Sequence, residues 1–142
     1  MLRVPRPTRS LALSLIVPAV VLVGCSSAST GAASAVVTYT DGTGEQRVTV
    51  SATATTCDDE HPRRLASEDD AIAFLVDDEG AGNFQVWLDD ELSFLGQAPA
   101  SATDTGVTVS DVAGIIVRTS VSGMQTNVSE QATFSGEVVC PG

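Results

Sequence analysis

The stretch Arg47–Cys57, RVTVSATATTC, constrains the chain more than any other. Val48, Val50, Ala52 and Ala54 alternate with Thr49, Ser51, Thr53 and Thr55. A period of two puts small apolar side chains on one face and hydroxyls on the other, which suits a half-buried strand and no helix. The same period returns at the far end. In ATFSGEVVC, Phe134, Gly136, Val138 and Cys140 share one parity, and Thr133, Ser135 and Glu137 the other. Both runs end on a cysteine.

Turn residues divide the sequence between them. AVVTYT (Ala35–Thr40) and the run from Arg47 are joined by Asp41-Gly-Thr-Gly44, a hairpin signal. Phe84–Leu88 and Glu91–Leu95 flank Asp89-Asp90 as a second hairpin, and Thr105–Val112 and Gly114–Gly123 read as two further strands. The segment Ser67–Phe74, SEDDAIAF, has two readings. Ser67 caps a helix with Glu68, Asp69 and Asp70 in its first turn, or an acidic turn leads into a buried strand from Ala71 to Val76. The strand is favoured. The expected class is therefore all-β and mainly antiparallel, a small disulfide-linked β-sandwich or partial barrel. One conflict stands in the pattern. Cys57 has odd parity where its strand's apolar positions are even, so a bulge or strand end near Thr55–Thr56 must turn it inward.

The N-terminus reads differently. MLRVPRPTR carries three arginines and no acid, and LALSLIVPAVVLV (Leu11–Val23) carries no charge. A basic start, a short apolar run and small exit residues are the parts of an export signal. Thirteen helical residues reach roughly 20 Å, short of the ~30 Å hydrocarbon core, and Pro18 interrupts them. The exit, Leu22-Val23-Gly24-Cys25, looks like a bacterial lipobox. Such a motif implies cleavage between Gly24 and Cys25 and a diacylglyceryl thioether on the Cys25 thiol. Two acyl chains anchor stably where one holds only reversibly. The expected organisation is a lipoprotein signal peptide over 1–24, a lipidated cysteine and flexible Ser/Ala/Gly tether over 25–34, and a single β domain over 35–142.

With Cys25 assigned to lipid, Cys57 and Cys140 form an even pair in an exported chain, as a structural disulfide requires. The rival reading, a thiol pair for metal or redox chemistry, lacks a CxxC spacing and has one histidine to draw on. From Cys25 onward the chain holds four arginines, no lysine and 18 acids, a net charge of −14. That charge repels phosphate backbones, so nucleic acid is not an expected partner.

Candidate sites are few. The acidic clusters 58–60, 68–70, 77–79 and 89–91 offer oxygen ligands but lack the alternating spacing that aims them at one ion, so no metal is expected. His61 sits among acids and arginines, no G-x-S-x-G elbow or phosphate-cradling glycine motif occurs, and neither catalysis nor a cofactor is expected. Phe84, Trp87 and Phe94 are the side chains that a pocket for a lipid would use, unless the core claims them.

LVGCSS, the run VTVSATATTC, the strand GIIVRTSVSG and the terminal FSGEVVC together resemble the actinobacterial lipoprotein antigens of the mycobacterial LpqH type. The likeness covers both ends of the chain and little of the middle. It implies a lipid-anchored, surface-exposed envelope protein of the cell membrane's outer side, non-enzymatic, with one disulfide and an acylated N-terminus that host lipopeptide receptors recognise. Only Cys25 carries that last property by position. The heavy acidity and the charged insert Cys57–Asp70 depart from the family.

Overall fold

The computed structural model describes residues 29–142. The expected signal segment, Gly24, the expected lipidation residue Cys25 and the first residues of the expected tether lie outside them. Nine strands and no helix make up the described chain: β1 (Ala32–Asp41), β2 (Gly44–Ala52), β3 (Thr55–Cys57), β4 (Arg63–Ser67), β5 (Ile72–Val76), β6 (Ala81–Trp87), β7 (Leu92–Pro99), β8 (Gly106–Thr119) and β9 (Gln125–Val139). They form one antiparallel sheet in the order β2-β1-β9-β8-β7-β6-β5-β4-β3. The chain makes the β1–β2 hairpin, crosses to the opposite edge, and meanders back until β9 lies beside β1.

That crossing dictates the shape. Ala52 ends one edge strand and Thr55 begins the other. Three residues span at most roughly 11 Å, whereas nine flat strands would hold their edges roughly 38 Å apart. The sheet therefore curls into a half-barrel with its apolar face inside. The conflict at Cys57 is resolved by the same break. It falls at Thr53–Ala54, slightly before the expected place, and β3 starts with a fresh parity in which Thr55 is buried.

Alternation decides what fills the interior. Val37, Ile72, Phe74, Phe84, Phe94 and Phe134 are buried. Leu65, Phe74, Phe84, Gly96, Gly114, Ala132 and Tyr39 lie opposite one another across seven consecutive strands. Large residues on β4–β6 thus face a row of small ones on β7–β9. Phe134 reaches across, its ring centroid 5.5 Å from Phe74, 5.8 Å from Phe84 and 5.4 Å from Phe94. Gly96 and Gly114 pair directly, and the Phe94 ring lies along both. A Cβ on either would stand 2.5–2.7 Å from that ring. The missing side chains let the aromatic ring close onto the backbone.

Several expectations are corrected. Thr105–Val112 and Gly114–Gly123 are not two strands but the single bulged strand β8. Ser110 and Asp111 together oppose Ser135, Asp111 takes a positive φ of 52°, and its N–H donates to Ser135 Oγ at 2.9 Å. The extra residue switches the inward positions from odd (Val107, Val109) to even (Val112, Ile116). Ala32–Ser34, expected in the tether, belong to β1, where Ala33 is buried and paired with Val138. Their small side chains fit the crowded seam. β4 was not anticipated at all, because its five residues lie inside the charged insert. The strand reading of Ile72–Val76 after an acidic turn holds.

Candidate functional site

Two places carry functional interest: the junction where the N-terminal segment enters the domain, and the outer face of the sheet.

At the junction, three segments are stapled together. Ser29 O accepts from Gly142 N at 3.1 Å, and Thr30 O accepts from Thr55 N at 3.0 Å. Thr30 Oγ1 donates to Thr53 O, and Thr55 Oγ1 to Val139 O, both at 2.7 Å. Gly31, at φ +82°, passes so close to Thr55 Oγ1 and Val139 O that no side chain fits. Beside this knot the Cys57–Cys140 disulfide joins β3 to the end of β9, with Cα atoms 5.8 Å apart and a sequence separation of 83. Closing a loop of that length contributes about 4–5 kcal/mol in the chain-entropy account. The stapled residues include Ser29, four positions after Cys25, and four residues span at most roughly 14 Å.

The outer face is defined by the residues that alternate with the core. On β5, β7 and β8 these are Ala73, Leu75, Leu95, Ala113 and Ile115, and they line an open groove of about 830 Å³. Leu95 and Ile115 are cross-strand partners. Leu75, 39% exposed, is among the few large apolar side chains at the surface. Asn83, Gln85 and Gln97 add uncharged amides, and Arg64 stands at one end. No carboxylate lines it.

The expected ligand-facing trio does not share this cavity. Phe94 is fully buried and Phe84 nearly so, both packed on Phe134, because they point into the half-barrel. Phe84 and Phe74 touch the groove only as its floor. Trp87 is half-buried at the end of β6, beside Asp69, Asp70, Asp89 and Asp90.

The acidic clusters serve the turns. Asp69 Oδ1 accepts from Ser67 Oγ at 2.6 Å and Ala71 N at 3.1 Å. Asp77 Oδ1 accepts from Glu79 N and Ala81 N, and Asp89 Oδ1 from Glu91 N and Leu92 N. Asp41 does the same for Thr43. A leading aspartate that bonds the backbone two residues on closes each of these four hairpins. The Thr43 hydroxyl and N–H hold the Asp41 carboxyl below its ordinary value, and the Ser67 hydroxyl, then the Ala71 N–H, do so for Asp69. Burial, with Asp41 and Asp89 nearby, pushes the Tyr39 phenol up. Among the described residues no group of three His, Cys, Asp or Glu side chains converges as a metal site. His61 is exposed in the loop between β3 and β4.

No family model matches the chain, and no curated protein or solved structure matches it either. The likeness to the actinobacterial antigens rests on the quoted residues alone.

Proposed function

We propose that this chain is a lipid-anchored lipoprotein of the bacterial cell envelope, non-enzymatic, which holds a rigid β domain against the extracytoplasmic face of the membrane as an interaction module. The observation that carries the reading is the junction at Ser29–Gly31. It follows the lipobox-like Leu22–Cys25 after only three intervening residues, and it is held by backbone bonds, side-chain bonds and the neighbouring disulfide. A lipid at Cys25 would hold the domain where backbone bonds, side-chain bonds and the disulfide meet, so a pull on the anchor is shared by β1, β3 and the C-terminus. The partner is a component of the envelope, whether protein, glycan or lipid. An acidic domain without lysine repels phosphate backbones, which supports leaving nucleic acid out of the proposed partners.

Replacing Cys25→Ser in the full chain tests this. The native chain is expected to sediment with membranes and to carry a diacylglyceryl mass on Cys25. The variant is expected in the aqueous fraction. A variant that still sediments ends the anchoring reading.

A further inference from the structure

We infer that the outer-face groove of β4–β8 binds a single anionic lipid molecule, its alkyl chain along Leu75, Leu95 and Ile115 and its head group against Arg64. This deepens the function proposed above and rests on it only for the lipid's source, the bilayer beneath the domain.

Shape and lining come first. About 830 Å³ lies within the usual range for small-molecule sites, and an apolar bed with a few amides is their usual composition. The bed lies over the β7–β8 backbone, against whose inner side the Phe94 ring packs. Gly96 and Gly114 carry no side chain, so the Phe94 ring closes onto the β7–β8 backbone from inside, while Leu95 and Ile115 stand on the outer side of the same pair.

Charge decides the kind of lipid. The domain is strongly acidic, yet no Asp or Glu lines the groove and its one charged residue is Arg64. Asp70 engages one terminal nitrogen of Arg64, which leaves other N–H donors on the planar guanidinium for a carboxylate or phosphate. The head-group end also lies towards the sheet edge at which the N-terminal segment enters. Arg64 lies on β4, next to β3, and β3 holds the entering chain through Thr55.

The test uses membranes bearing the full chain, given a palmitate analogue with a photoreactive diazirine on its alkyl chain. After irradiation the labelled peptides are mapped. Label is expected at Leu75, Leu95 and Ile115, falling roughly tenfold in Leu95→Glu, which puts a charge in the apolar bed. Ala113→Phe fills the groove at an exposed position without adding charge and is expected to act alike. Arg64→Gln is expected to lose several-fold of the label from the acid but little from the matching diazirine alcohol. Label scattered over the surface, or unchanged in both Leu95→Glu and Ala113→Phe, overturns the inference. The Cys25→Ser chain, given the same probe in solution, is expected to keep the groove label; losing it means that the groove only leans on the bilayer, which also overturns it. If Cys25→Ser stays in membranes, anchoring fails, and the groove is still judged by Leu95→Glu and Ala113→Phe.

Discussion

The two faces of β5–β8 come from the same strands, residue by residue in alternation, yet one is closed and the other open. Inside, Phe74, Phe84, Phe94 and Phe134 meet with centroids 5.0–5.8 Å apart, and the paired glycines give them room. Outside, Leu75, Leu95 and Ile115 are of similar hydrophobicity but nothing within the described residues covers them. Apolar character alone therefore does not separate core from surface here. Curvature does: the inner face meets the other half of the sheet, and the outer face meets none.

The largest expected break in that contrast comes from paired truncations. Phe134→Ala removes the ring that touches three others and is expected to lower stability by about 3–5 kcal/mol in urea unfolding. Leu95→Ala, on the open side, is expected to stay within about 1 kcal/mol of the wild type. Equal losses would mean that the outer face is packed as the inner one is. Gly114→Ala sharpens the comparison from between the two faces. Its methyl meets the Phe94 ring inside and Leu95 O across the strand pair, so overpacking is expected to cost about 1–3 kcal/mol. It should also lift the groove floor and weaken probe labelling.

The smallest effect belongs to the turns. Asp41 and Asp69 titrate lower when folded than when unfolded, so their contribution is present above the ordinary carboxylate value of 3.8 and is lost as pH falls through the folded value. Asp69→Asn is expected to flatten the acid limb of a stability-versus-pH curve slightly. An unchanged limb would remove Asp69 from that account. Both groups are exposed, so solvent screening keeps the effect small.

Much of this was legible in the order of residues. Alternation marks most of the strands, because a pleated strand shows its sides in strict turn. The Asp-Gly and Asp-Asp turns mark both hairpins, and the paired cysteines mark the disulfide. What escaped did so for physical reasons. β4 is short and its buried Leu65 and Ala66 are flanked by charge, so no periodic signal rises above the insert. The β8 bulge reads as a strand boundary, since parity flips at Asp111 just as it would across a turn. Phe84 and Trp87 share a run but not an environment, for their parities send them to opposite faces.

Sequence alone determined that this chain forms short antiparallel strands, that turns fall at Asp41–Gly44 and Asp89–Asp90, and that Cys57 pairs with Cys140. Those are local matters, settled by side-chain period and backbone preference. Tertiary structure alone decided that Arg47–Cys57 splits between opposite edges of one sheet, that two glycines meet under a phenylalanine, and that Arg64 stands at the end of an apolar groove. Each depends on how far the sheet curls, and curl is a property of nine strands together.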